Sequence, residues 1–523
     1  MKKLQSLELR DNSLIELPDW FYQLQSLTDL HLDGNSSLTR LHPHVASLHT
    51  FTDEECDSIT EPPSAVCQGG LEDIRQYYND LKEGSAEIVL STIVLIGRKE
   101  AGKSTLLRAM QNGFSAEAMP EDVKKTSVFE FQKVNLKHFD DRQELQTQEV
   151  QIIDFGGDDV YHYAYQLTFR DNCIPIVVAN IKEYEQKSKE WGPREAARRV
   201  AFDWLSHLLI VSPTVEMPLL VLTHVDKLAS EEVERLRKEL LSTLEDLRRD
   251  FLEGRDRPEI KMLDHRHSKM FELDHIFNVG YGTSEHSERL GELQKILYAH
   301  VKAKKQTVPK IWDEEMKRIK GNTQSCIKYS DLQKPHGHGN AVLNVLLGYM
   351  KRSGLILQYS DGQGDNNRSV KSPISGVIFH NIPAVAKLIS TLYHDLMDER
   401  IIIGNKASLQ KSNQTERRMD SFVCNGIVSA DVLNIILRDT ASSVPNEARQ
   451  QSIIPEGSSC IPFDIAMKLL SKFRLLYGPQ SVNRVESYLV PYFMQKHSFP
   501  DNSAEFRLHG TISFHGLVVP NYE

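Results

Sequence analysis

The chain has 523 residues, 26% charged and 40% hydrophobic, with a formal net charge of −10. That length accommodates about two to four domains, each with its own core. The acidic balance argues against nucleic acid as the main partner, and no run approaches the ~18 apolar residues of a membrane-spanning helix. Six cysteines without a CxxC pair point to a reducing compartment, and no signal-peptide core follows Met1. A cytoplasmic location is expected.

In chain order, Leu4-x-x-Leu7-x-Leu9-x-x-Asn12-x-Leu14 recurs 23 residues later as Leu27-x-x-Leu30-x-Leu32-x-x-Asn35. This is the leucine-rich-repeat period, with one strand per repeat and an asparagine bonding backbone along the turn. Residues 1–48 therefore read as two repeats, too few to bury a solenoid core. They lean on the next domain, or the sequence begins inside a longer product, which is the expectation we favour. Residues 49–85 read as a linker, acidic and proline-bearing to about 70. An amphipathic helix follows over Leu71–Leu81, with Leu71, Ile74, Tyr78 and Leu81 on one face.

Gly97-Arg98-Lys99-Glu100-Ala101-Gly102-Lys103-Ser104-Thr105 matches GxxxxGK[ST] at every fixed position. The run Ile88–Ile96 before it reads as a buried parallel strand, and Thr105–Met110 after it as a helix. Glycines let the backbone wrap phosphates closely, with loop N–H groups pointing inward. Lys103 reaches the β- and γ-phosphates, Ser104 ligates Mg²⁺, and the helix N-terminus adds partial positive charge. A nucleoside triphosphate is the predicted ligand.

Further strands are predicted at Glu149–Ile153, Ile174–Ala179, Pro218–Leu222 and His275–Val279, with helices over Glu195–Leu205 and Glu231–Leu241 between them. This alternation over residues 86–305 predicts a doubly wound, mainly parallel α/β sheet with ligand at the strand C-termini. Asp154-Phe-Gly-Gly157 closes one strand. There a carboxylate suits the Mg²⁺ shell, and the Gly157 N–H suits the γ-phosphate. Asp154-Phe-Gly156 also spells a kinase magnesium motif, but no HRDxxxxN loop precedes it and no APE follows. Thr223-His-Val-Asp226 closes another strand. A carboxylate at Asp226 accepts both N1–H and the 2-amine of guanine, a donor pair that adenine lacks.

The order of repeats, linker helix, GRKEAGKST, DFGG and THVD resembles the Roco family, in which a Ras-like Roc GTPase domain follows the repeats and is joined to a COR domain. The resemblance implies GTP/GDP and Mg as ligands. It places Thr223 where small G proteins use asparagine and His224 where they use a lysine under the base. Lys125-Thr126-Ser-Val128 is similar to switch I, with Thr126 as second Mg²⁺ ligand. A last guanine loop falls near Gly280-Tyr281. Asp158, after DxGG, occupies the position that orients the attacking water, usually glutamine. A carboxylate beside the γ-phosphate adds repulsion, so slow hydrolysis is expected.

Residues 306–505 are similar to the first half of COR, a mainly helical, winged-helix-like module. Its cues are Val308–Ile319, a helix over Asn340–Gly354, a strand over Leu355–Tyr359, a helix to about Met397, and the runs Phe463–Phe473 and Tyr488–Phe493. Residues 506–523 are similar to the start of the second half, which the family uses to dimerise, so a homodimer is expected only where that half is present. His265-x-His267 with His275, and His336-x-His338, lack cysteine or acidic partners and read as loops. The winged-helix pattern lacks the clustered basic residues of a DNA reader. The functional expectation is a GTP-binding signalling switch, with protein partners through the repeats and COR. Alternatives are a nucleotide-gated scaffold with negligible hydrolysis, an adenine-nucleotide ATPase, or the GTPase part of a larger Roco kinase.

Overall fold

The computed structural model describes residues 3–116 (except 55 and 57), 129–139, 144–156, 173–211, 218–252, 276–281, 284–333 (except 323), 340–359, 362–363, 369–370, 374–394, 427–430, 433, 461–473, 475–482 and 485–490. Thr126, Gly157, Asp158, the paired histidines and residues 506–523 lie outside them. The chain divides into two compact units, residues 1–383 with 447–459, and residues 384–446 with 460–523.

The first unit opens on three short parallel strands, β1 (Ser6–Glu8), β2 (Asp29–His31) and β3 (Thr50–Thr52), with Leu7 beside Leu30 and Leu30 beside Phe51. β3 lies where the sequence reading placed the start of a linker, which corrects that boundary. Its rung has Phe51 for leucine and Cys56 for asparagine, so the spelling hid it. The ladder chemistry is retained. Asn35 Nδ2 donates to Leu9 O at 2.8 Å and Leu32 O at 2.6 Å, and the Cys56 thiol reaches Leu32 O at 3.2 Å.

Helix α1 (Leu71–Leu81) follows with Ile74, Tyr77 and Tyr78 buried. It seats the repeats: the Tyr78 hydroxyl donates to Leu41 O at 2.7 Å, and Arg75 donates to the carbonyls of Ala46 and Leu48. The apolar run expected as one strand over Ile88–Ile96 is two. β4 (Ser85–Val89) leaves the sheet and pairs antiparallel with a strand more than 200 residues away, whereas β5 (Thr92–Ile96) enters it. Ile88, Val89 and Leu90 are as apolar as the strand that follows, so hydrophobicity alone does not reveal the break.

The central sheet has β5 flanked by β7 (Leu145–Phe155) on one side and β8 (Cys173–Asn180) on the other. β9 (Leu219–Thr223) and β10 (Ile276–Asn278) extend it beyond β8, all parallel. β6 (Phe129–Phe139) closes the far edge antiparallel to β7. The chain leaves β5 in opposite directions, so the crevice outside its C-terminal end is the switch point where ligands sit in open α/β sheets.

Alternate residues of these strands bury opposite faces. Val94, Ile96, Val177 and Leu222 meet helices α3 (Ile181–Trp191), α4 (Asp203–Val211) and α5 (Ser230–Leu252). Ile93, Leu95, Ile176 and Val221 meet α2 (Lys103–Gln111) and α6 (Ser284–Ala303). A π turn over Arg198–Phe202 leads into α4.

β11 (Lys305–Pro309) is the partner of β4, so one ribbon joins the entrance and exit of the sheet domain. After it, α7 (Lys310–Lys320) buries Trp312, whose indole N–H donates to Asp80 at 2.8 Å and whose ring meets Tyr77 and Tyr349. α8 (Asn340–Arg352) brings Tyr349 and Arg352, which bonds Ala65 O and Asp73. β12 (Cys326–Lys328), β14 (Val377–Phe379) and β13 (Leu357–Gln358) form a small antiparallel sheet beside them.

The second unit starts inside α9 (Ile382–His394), and its α10 (Phe463–Lys472) buries Ala466, Met467, Leu469 and Leu470. β15 (Ile427–Ser429) and β16 (Tyr477–Val482) pair antiparallel with β17 (Val485–Leu489) between them. The unit break at residue 383 falls inside the stretch that the sequence reading took as one module from 306 to 505.

Candidate functional site

The phosphate-loop residues turn directly out of β5. Gly97 has φ 142°, and a Cβ on it would lie 2.2 Å from Val178 O, so only glycine lets the loop leave between β5 and β8. Gly102, at φ 92°, starts α2, and a Cβ there would come 3.3 Å from the Thr223 side chain. Glu100 also has positive φ, 65°, a conformation that non-glycine residues adopt at a cost. Lys103 is buried, and its ammonium donates to Gly97 O and Arg98 O, each at 2.7 Å. The cation thus sits in the mouth of the loop. Lys99 and Glu100 are exposed.

Parallel register brings the other strand ends to the same edge. Asp154 lies opposite Leu95 and is fully buried. The Ser104 hydroxyl donates to its Oδ2 at 2.7 Å, 50 residues away in sequence. A hydroxyl and a carboxylate held together at the start of a helix are hard oxygen donors of the kind Mg²⁺ prefers. Among the described residues no group of three His, Cys, Asp or Glu could hold a metal by itself. Such an ion would complete its shell with water and phosphate, as Mg²⁺ commonly does.

Thr223 ends β9 opposite Asn180, and its buried hydroxyl reaches Ala101 O in the phosphate loop at 2.6 Å and Ala179 O at 3.3 Å. The imidazole Nδ1 of His224 lies 3.0 Å from the same hydroxyl. His224 adopts the left-handed region at φ 60° and opens the turn that carries Asp226. Burial holds its imidazole below the ordinary value, and the neighbouring Asp226 carboxylate pulls the other way. Asp226 is one-fifth exposed and 3.3 Å from Lys227. Tyr281, just past β10, is also close: burial, then the Asp226 charge, pushes its phenol up.

Gly97 to Thr105, Asp154, Thr223, His224 and Asp226 therefore share one edge of the sheet. Glu183 escaped the sequence reading. It lies 3.3 Å from Arg98 and ties the phosphate loop to the first turn of α3. Asn180 caps that helix, accepting from Lys182 N at 3.0 Å and Glu183 N at 3.1 Å. The signal was available, because Asn180-x-x-Glu183 after an apolar run spells a helix start.

Residues 92–212 match the family described as Ras of Complex, Roc, domain of DAPkinase. The chain is 26% identical over 239 residues to leucine-rich repeat serine/threonine-protein kinase 1 of Mus musculus, covering 45% of this chain and 11% of that protein. It is 24% identical over 210 residues to the probable serine/threonine-protein kinase pats1 of Dictyostelium discoideum, covering 37% of this chain and 6% of that one. The match thus spans only a small part of either relative. Among solved structures, the Methanosarcina barkeri Roco2 RocCORdC bound to GDP aligns over 78% of this chain and 98% of its own, at 15% identity and TM-score 0.44.

Proposed function

We propose that this chain, a member of the Roco family with a Roc domain over residues 92–212, binds GTP and GDP with Mg²⁺ and hydrolyses GTP slowly, as a signalling switch. The observation that carries the reading is the meeting of three loops: Ser104 on Asp154 at 2.7 Å, and Thr223 on Ala101 O at 2.6 Å. A purine loop, a phosphate loop and a metal-suited carboxylate at one strand edge are what a bound nucleotide requires.

Each residue then has a stated task. Loop N–H groups from Gly97 to Thr105 receive phosphate oxygens, and Lys103 exchanges its two carbonyl partners for the β- and γ-phosphates. Ser104 and Asp154 would hold Mg²⁺, with Thr126 as a further ligand, and the ion would supply charge neutralisation at the phosphates. Gly157 offers an N–H to the γ-phosphate, and loss of that phosphate releases the following segment. Asp226 accepts guanine N1–H and the 2-amine, while His224 lies against the base. Asp158, in place of a neutral water-orienting residue, keeps turnover near the unassisted range of about 10⁻⁴–10⁻² s⁻¹.

Single-turnover phosphate release tests the rate. Several turnovers per second without a partner would contradict it, and Asp158→Gln is expected to accelerate release. Asp158 also favours the second reading, a nucleotide-gated scaffold whose hydrolysis is negligible. Protein partners through the repeats and COR, a dimer through the second COR half and a cytoplasmic location belong to the same proposal. GTP or GDP binding at millimolar Mg²⁺ tests its base.

A further inference from the structure

The loop junction contains a proton-accounting problem with one solution. The Thr223 hydroxyl has one hydrogen and three polar neighbours: Ala101 O at 2.6 Å, Ala179 O at 3.3 Å and His224 Nδ1 at 3.0 Å. Two of these are carbonyl oxygens, which only accept. The shortest contact takes the hydroxyl hydrogen, since otherwise two oxygen lone pairs would face each other at 2.6 Å in a buried site. Thr223 Oγ1 is then left as an acceptor toward His224, so Nδ1 must carry a hydrogen.

We infer that His224 is a positioning residue: its Nδ1–H, acting through the Thr223 hydroxyl, locks the phosphate-binding loop to the base-binding turn. The inference rests on the guanine-nucleotide reading for its consequence, but its hydrogen-bond order stands without nucleotide. The chain of bonds runs His224 Nδ1–H to Thr223 Oγ1, and Thr223 Oγ1–H to Ala101 O, immediately before Gly102 and Lys103. Two features support a built arrangement. His224 holds a left-handed φ of 60°, a conformation uncommon outside glycine. Gly102 also lies within 3.3 Å of Thr223 for any added Cβ, so the two loops are in contact there.

Protonation distinguishes this order from the reverse. The groups whose charge bears on the ring are Asp226 and Lys227 on its own turn, and Lys182 and Glu183 on α3. Acid adds a hydrogen at Nε2 and leaves Nδ1–H in place, so the chain of bonds survives. Were Nδ1 the acceptor, acid would break it.

Nitrogen-15 NMR of histidine-labelled, nucleotide-free protein at pH 7.5 tests the order directly, with the His224 signal assigned by its loss in His224→Asn. The expected spectrum is the Nδ1–H tautomer; an Nε2–H tautomer overturns the inference. Binding tests the consequence. Asparagine can place an N–H where Nδ1 sits and glutamine cannot, so His224→Gln should bind GDP about tenfold more weakly than wild type, with His224→Asn recovering most of the loss. Inorganic pyrophosphate, which has no base, should show the same ordering. Thr223→Val should match His224→Gln, and the double variant should be no worse than either. Equal effects of Asn and Gln, or pyrophosphate binding indifferent to both, would overturn the positioning role. If wild type binds neither GDP nor pyrophosphate, the nucleotide reading fails while the tautomer measurement still decides the bond order.

Discussion

The sheet domain and the repeat-and-helix region of the first unit are built on different physics. In the sheet domain, two apolar clusters on opposite faces fix the strands, and the site is left to loops held by polar bonds from side chains such as Lys103, Ser104 and Thr223. In the other region, one apolar cluster runs continuously from Leu17 in the repeats through Tyr77 and Trp312 to Ile378. Its polar contacts, Tyr77 to Thr307 O at 3.0 Å and Trp312 to Asp80 at 2.8 Å, serve packing. The β4–β11 ribbon is where the two meet. Substitutions at the site loops of the sheet domain should move ligand affinity with little change in stability, and those in the continuous cluster of the other region the reverse.

The largest effect should come from the second region. Trp312→Ala removes a fully buried indole together with its bond to the Asp80 carboxylate, and should cost about 3–5 kcal/mol, read by denaturant unfolding. The molecules that remain folded should bind GDP within about threefold of wild type; a parallel collapse of affinity would mean the two regions are not separable. Next, Lys103→Ala should weaken GTP and GDP binding by about a hundredfold or more in calorimetry, since it removes a charge-assisted partner of two phosphates. Its thermal midpoint should shift little; retained affinity would break the assignment of the phosphate loop.

A smaller, opposite effect is expected at Asp53. Burial, reinforced by the Asp33 carboxylate, pushes it from 3.8 up to about 6. Between those values the folded chain binds more protons than the unfolded one, so this group makes stability rise as pH falls from 7 toward 4. Asp53→Asn should stabilise the protein at pH 7 by ~1–2 kcal/mol and flatten that slope. An unchanged slope would contradict the shift. His224 and His380, both held low by burial, act with the opposite sign: their neutral forms are favoured on folding, and stability from them falls as pH drops below the ordinary histidine range.

The same contrast explains what could be read from the sequence. Gly97, Gly102, Lys103 and Ser104 were legible because phosphate wrapping demands glycine, lysine and a hydroxyl at fixed spacing within one loop. Asp154 and Asp226 followed from their places after apolar runs. The bond from Thr223 to Ala101 spans 122 residues, and no local pattern encodes it. Nor does any pattern report that Glu87 meets Lys305 across 218 residues, so β4 merged with β5 in the apolar reading. The third rung of the ladder was hidden by chemistry rather than distance: Cys56 replaces an asparagine amide, and acidic and proline residues surround it. Glu183 spells a helix start, and nothing in its local pattern points to Arg98 as its partner.

Nucleotide selectivity of Asp226→Asn measures the central claim most directly. The carboxylate accepts from guanine N1–H and the 2-amine, whereas an amide offers N–H to the 2-carbonyl of xanthine. Wild type should prefer GDP over XDP and ADP, and Asp226→Asn should reverse the first preference toward XDP with the fold intact. A wild type that binds ADP as tightly as GDP, or a variant whose GDP preference is unchanged, would contradict the account.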